Sequence, residues 1–305
     1  MVETWPDLAT PNWQATALTM HMWSQIVGKT RLRLATAQNH WWHVALYVTP
    51  TGLTTSVIET GDRAFEIEFD LVGHALRIRD ERGRTPSFPL EPMPVADFYR
   101  RFLEAMRSID IEVRIFRRPV ECVEAIPFDQ DQVHRSYDRV WAERLHAVHL
   151  ASDGILKKFR GEFRGKASPV HFFWGGFDLA ATRFSGRTAP PHPGGVPNVG
   201  DWVMREAYSH EVSSAGFWPG AGYYPEAVFY AYAYPQPDGF ERARIRPATA
   251  RWDTTLREFV LPYDAVRRSS DPAGDVRAFL DSTYEAGADA AGWDRRALER
   301  QEPRP

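Results

Sequence analysis

Glu206 and His210 are four residues apart, the spacing that sets two side chains one turn apart on a single helix face. An imidazole beside a carboxylate supports two kinds of chemistry. With a third ligand and an open position it suits zinc or iron. Without metal, the carboxylate orients the imidazole as a general base that works near neutrality. A divalent metal here would draw on His171, His192, Glu206 and His210. The pattern lacks the second histidine of the zinc-protease helix. A surface ion pair worth at most about 0.5 kcal/mol has the same spacing. The flanks single this pair out. A Pro/Gly-rich loop, 186–200, precedes it and carries His192, and the aromatic turn Gly216-Phe217-Trp218-Pro219-Gly220 follows. Loops of that length and kind border sites more often than cores do. Glu206 and His210 are therefore the catalytic candidates.

A second set of residues suits ligand binding. His171 stands in an apolar run with Phe172, Phe173 and Trp174, and Asp178 and Arg183 follow five residues apart. Burying such polar groups unpaired costs roughly 1–3 kcal/mol each, so they should satisfy one another around an aromatic pocket. Trp218 and His43 join this set. His40 and His43 flank two tryptophans; on a strand, positions three apart face opposite sides, so the pair does not share a metal. His146, His149 and Asp153 have ligand spacing on a helix, but that face reads as solvated.

Other chemistries are excluded. Gly28-Lys29-Thr30 has no glycine five positions earlier, so it is not a phosphate loop; it reads as a helix end with lysine near the negative pole of the dipole. No dinucleotide fingerprint and no Gly-x-Ser-x-Gly turn is present. Cys122 is the one cysteine and is flanked by acids, which raise a thiol's pKa and blunt it. The net charge is −3 without a basic run, against nucleic acid or membrane surfaces as partners. Only four of 37 basic residues are lysines, so each lysine stands out for its compact charge. No basic, apolar leader opens the chain, and the longest uncharged stretch, 34–58, is too polar to span a bilayer. With one cysteine, this leads to the expectation of a cytoplasmic protein.

The elements that position these residues follow from periodicity. A helix is expected from about Asn12 to Gly28-Lys29, then strands around 31–34, 44–48 and 53–58. Phe65, Ile67 and Phe69 alternate with Glu66, Glu68 and Asp70. After a turn at Gly73, Leu76 and Ile78 alternate with Arg77 and Arg79. This is a hairpin with one core face, on which acids face arginines at ~0.2–1 kcal/mol a pair. A helix at 95–108, a strand at 111–115, a connector at 117–130 and a helix at 132–159 come next. Strands at 170–174 and 179–184, a helix at 202–214, strands at 228–234 and 256–261 and a helix at 275–286 complete the pattern.

Asn39-His40-Trp41-Trp42-His43-Val44, the block from Ser168 to Asp178, Thr182-Arg183-Phe184-Ser185-Gly186, Ser209-His210-Glu211-Val212 and Gly216–Gly220 together resemble an uncharacterised bacterial family, DUF5996. The likeness covers nearly the whole chain. It implies a shared fold and brings no activity.

The expected fold is α+β: mainly antiparallel sheets with helices packed on them, in two similar lobes. The lobes run 1–118 and 131–293, joined by a connector at 119–130, with a tail at 294–305 that should fray. Each half reads as a helix ending in Gly-Lys, a meander and an amphipathic helix, the pattern of an internal duplication. Two unrelated α+β halves also look this alike. With 11 tryptophans and 18 phenylalanines, the aromatic content suggests a pocket between the lobes. The functional expectation is a small-molecule-binding protein, with a metal-assisted hydrolase or lyase as the alternative.

Overall fold

A computed structural model of the chain describes residues 3–8, 10–122, 124–220 and 223–301. Its elements are α1 (Thr10–Leu34), a 3-10 turn (Asn39–Val44), β1 (Tyr47–Val48), β2 (Gly52–Thr54), β3 (Ile58–Thr60), β4 (Arg63–Asp70), β5 (Ala75–Asp80), β6 (Ser87–Pro89) and α2 (Val95–Ser108). After a long connector come α3 (Arg139–Gly161), β7 (His171–Phe173), β8 (Asp178–Thr188), α4 (Asp201–Ala207), β9 (His210–Trp218) and β10 (Val228–Tyr234). A 3-10 turn (Phe240–Arg242), β11 (Arg251–Asp253), β12 (Glu258–Pro262), α5 (Tyr263–Arg267), α6 (Pro272–Ala290) and α7 (Arg295–Leu298) complete it. The fold is α+β, with two antiparallel sheets. No helix among the described residues is long and apolar enough to cross a membrane.

The β4–β5 hairpin forms as its alternation demands. Glu66 pairs with Arg79, Ile67 with Ile78, Glu68 with Arg77 and Phe69 with Leu76. The five apolar residues are buried, whereas Arg77 and Arg79 are exposed. Glu66 and Glu68 are half-buried rather than exposed, because Thr54 and Thr51 donate to them from β2 and the turn before it. One sheet runs β1-β2-β4-β5-β6 with β3 beside β4; the other runs β11-β12-β10-β9-β8-β7. They meet edge to edge where Leu46 and Phe172 exchange two backbone hydrogen bonds of 2.9 and 2.8 Å. The first strands of the two meanders thus lie side by side.

All large helices cover one face of this joined surface. Trp23 of α1 stacks on Phe98 of α2 at 4.8 Å, and Phe98 lies on Phe69 and Phe88 of the first sheet. His149 of α3 lies on Phe172 and Phe217 of the second. The apolar residues of both halves form one continuous core. α1 is buried almost all round, as suits a helix packed between other elements.

Several boundaries differ from the sequence expectation. α1 does not stop at Gly28-Lys29 but continues to Leu34, so 31–34 is helix. Gly28 is there because the indole of Trp174 lies where its Cβ would be. α3 ends at Gly161, four residues before Gly165, so the Gly-Lys parallel between the halves is absent. Residues 39–44 form a 3-10 turn and 111–115 form no strand. His146, His149 and Asp153 are buried, not solvated. The tail is hydrogen-bonded to the body as far as Arg300: Leu298 accepts from Arg164, and Arg300 donates to Glu162. Residues 302–305 of the tail lie outside the described residues.

Candidate functional site

The face of the second sheet turned away from the helices carries a cradle that the sequence reading overlooked. Tyr230, Tyr232 and Tyr234 alternate along β10 and share that face. Register sets Gly216 and Ser214 of β9 beside Tyr230 and Tyr232, and Ala180 and Thr182 of β8 beyond them. On the other side Val260 pairs with Tyr230, which places Glu258 of β12 level with Tyr232. The small residues leave room for the tyrosine side chains to lie across them, and Glu258 shares that face.

Glycines open the space for the acids. Tyr230 leans across Gly216 so that its hydroxyl donates to Asp178; a Cβ on Gly216 would meet both that hydroxyl and the backbone of Leu179. The β7–β8 turn holds Gly175-Gly176, and a Cβ on either would meet a carboxyl oxygen, Glu121 at Gly175 and Asp178 at Gly176. The turn is tied down by three side chains. His21 binds the Gly175 carbonyl at 2.7 Å, Trp218 donates to the Gly176 carbonyl at 3.0 Å and Trp174 donates to the Val44 carbonyl at 2.8 Å.

Glu121 comes from the connector and is held on both sides. The amide of Gln25, buried in α1, binds both backbone groups of Val120 at 2.8 Å. The Glu121 amide donates to Pro197 of the Pro/Gly loop at 2.8 Å, and Asn198 donates to the Cys122 carbonyl. Glu121 sits at φ +58°, a conformation that costs a non-glycine residue of order 1 kcal/mol or more and that surrounding contacts must impose. The same loop roofs the far end: His192 stacks on Tyr208 and packs at a tilt against Tyr234, and Tyr234 donates to the Pro190 carbonyl.

Electrostatics follow from this crowding. Crowding around its carboxyl, with Asp178 opposite, raises Glu121 to about 7, although the residue as a whole is exposed. Burial raises Asp178 to about 6 against the Tyr230 hydrogen bond, and raises Glu258 to about 8 with Asp178 and Asp253 adding to it. None of the three makes an ion pair among the described residues, and Glu258 accepts no hydrogen bond there. The hydroxyls form a second network: Thr182 with Ser214 at 2.9 Å and Tyr208 with Tyr232 at 2.7 Å. Burial pushes Tyr232 up to about 12. Trp218, packed against Tyr224 at 5.7 Å, closes the end nearest Asp178.

The residues singled out from sequence are distributed as follows. Asp178 and Trp218 border the cradle. Trp174 lies on Gly28 at the base of the same turn. Arg183 points to the helix side, where its guanidinium caps α3 at the Phe159 carbonyl and lies over Phe159, Phe163 and Tyr284. Burial there lowers it to about 10. It does not pair with Asp178, because residues five apart on a strand face opposite sides. His171 is fully buried under Trp42 and Tyr47, with both nitrogens unpartnered, and burial lowers it to about 3.

The catalytic and metal candidates do not share a helix. α4 ends at Ala207 and His210 opens β9, since the small and β-branched run from Val212 to Gly216 pairs with β8 and β10. Glu206 is exposed, and His210 meets the ring of His40 at 5.5 Å. His192 is on the tyrosines, as described. Among the described residues no three His, Cys, Asp or Glu side chains are placed to hold a metal ion. The space between the lobes is occupied by the chain itself. Trp42 packs on His171 and Phe184, and His40 takes a hydrogen bond from Lys166 at 2.7 Å while its other nitrogen binds Ala207. His43, buried in the same turn, accepts from the Gln38 amide at 3.0 Å. A 490 Å³ groove lies elsewhere, along Thr16, Pro92–Pro94 and Arg135–Asp138.

Tyr230, Tyr232 and Glu258 were legible as strand positions, but only the register across β9, β10 and β12 places them together. Glu121 had no local signal beyond its neighbourhood to Cys122, whose thiol burial and Glu121 raise to about 11. No curated protein and no solved structure matches the chain. A family model described as a family of unknown function, DUF5996, matches residues 5–300 of the 305, and the chain belongs to that family.

Proposed function

We propose that the chain is a small-molecule-binding protein whose ligand enters the cradle on β8, β10 and β12 and carries a positive charge. The observation that carries this reading is the set Glu121, Asp178 and Glu258: three carboxyls on one aromatic-walled face with no lysine or arginine paired to any of them among the described residues. Uncompensated acids hold their protons near neutrality. A bound ammonium group supplies the missing charge, and the faces of Tyr230, Tyr232 and Trp218 suit its substituents. On this reading the aromatic site lies on the second sheet and not between the lobes. The single cysteine fits a reducing, cytoplasmic setting. The metal-assisted alternative gains no support, since its ligands lie apart.

Titration calorimetry with tetramethylammonium, butylamine and spermidine tests this. A cation prefers the ionised acids, so at least one of these ligands should bind, and its affinity should rise by tenfold or more between pH 6 and 8.5. Glu258→Gln should abolish most of that rise. No binding of any of the three at millimolar concentration at pH 8.5, or an affinity indifferent to Glu258→Gln, overturns the proposal.

A further inference from the structure

Lys29 is one of only four lysines, and α1 holds it in a place where, among the described residues, its ammonium group has no hydrogen-bond or ion-pair partner. The side chain is 4% exposed, with no hydrogen bond and no ion pair among the described residues. Its neighbours are rings: the nitrogen lies 5.3 Å from the centre of Phe116 and 5.8 Å from that of Trp174. The other lysines differ. Lys157 is bound to Asp153 at 2.6 Å, Lys166 reaches His40, and Lys158 is exposed on α3.

Two features turn this placement into a site. Trp174 is seated against α1 by the missing side chain of Gly28 and by its own hydrogen bond to Val44, so the inner wall is fixed. Phe116, the other ring against the amine, is itself 65% exposed. A lysine desolvated between apolar walls is lowered toward neutrality, here to about 8, and a neutral amine is a nucleophile. Cys122, whose charge acts on Lys29, is raised by burial to about 11 and does not compete as a nucleophile.

We propose that Lys29 is a covalent docking site for a carbonyl compound, an aldehyde with an aromatic or alkyl body that lies between Phe116 and Trp174. The nitrogen lone pair attacks the carbonyl carbon, the carbonyl π pair moves to oxygen, and one N–H proton passes through solvent to that oxygen. The carbinolamine then loses water: the nitrogen's second proton passes through solvent to the hydroxyl, the C–O bond breaks as the nitrogen lone pair forms the C=N bond, and an imine remains. No oxidant or reductant is required. This site is separate from the cation cradle and stands or falls without it.

The test is trapping with pyridine-4-carboxaldehyde and cyanoborohydride, followed by peptide mapping. With four lysines, every site can be followed. At pH 8, Lys29 should be trapped at least tenfold faster than Lys157 and Lys158, at a rate that climbs between pH 7 and 9. In 8 M urea all four should react alike, which shows that the Lys29 peptide is detected. Lys29→Met should fold, since it removes a buried charge, and should lose only the fast adduct. A ratio below tenfold in the native protein overturns the proposal, as does a fast adduct that survives Lys29→Met.

Discussion

A carboxyl that holds its proton at pH 7 costs the native state stability as the pH rises. Glu258 shows this most directly: its pKa is raised from the ordinary 4.5 to about 8, first by burial and then by Asp178 and Asp253. Between those pH values the folded protein keeps a proton that the unfolded chain has released. Stability therefore falls as pH rises through that window. Glu258→Gln should remove this part of the slope, so its melting temperature should gain on the parent from pH 5 to pH 8.5. Parallel profiles of the two proteins would refute it. His171 and His149 act in the opposite sense. Burial lowers both from 6.5 to about 3, so the unfolded chain binds protons there that the native chain does not. Stability is lost as pH falls from about 6.5 toward 3, and His171→Phe should resist acid better than the parent. Neither group announced its state in the sequence. A histidine among phenylalanines reads the same whether its nitrogens find partners or not, and only the covering rings of Trp42 and Tyr47 decide the matter.

Elements whose pattern is local were legible, and those decided by distant pairing were not. The β4–β5 hairpin and α2 follow alternation and helical spacing over their whole length. The segment 202–214 carries a helical start, yet its second half becomes β9 because strands on both sides need a partner. α1 was cut short for a related reason. Gly28 looks like a stop, and only Trp174, nearly 150 residues later, explains a glycine in mid-helix. This gives a direct test. Alanine is worth about 1 kcal/mol more than glycine in a helix interior. At position 28 its methyl group would enter the Trp174 indole, and overpacking costs typically about 1–3 kcal/mol. Gly28→Ala should therefore destabilise on balance, by about 1 kcal/mol in denaturant unfolding. In the Trp174→Ala background the same change should stabilise. A stabilising Gly28→Ala in the parent would show that the indole does not occupy that space.

At the scale of the molecule, the two sheets with their helices do not stand as independent bodies. Their first strands pair at Leu46 and Phe172, and their apolar residues form one cluster. Contacts that place the cradle cross from one half to the other. Gln25 of α1 holds the connector, His21 holds the Gly175 carbonyl and Tyr263 donates to the Pro6 carbonyl at 2.7 Å. The division into lobes at 118 and 131 follows the sequence, whereas the core does not divide there. A core shared in this way leaves neither half a hydrophobic face it can bury alone. Thermal unfolding should then be a single transition, with calorimetric and van't Hoff enthalpies in a ratio near one. Residues 1–118 and 131–301 expressed separately should each lack a cooperative transition. Mixing them should restore one if their faces still find each other. Two resolved transitions in the intact chain, or a cooperative melt of either half alone, would mean that the junction at Leu46 and Phe172 joins two finished domains and that the cradle belongs to the second alone.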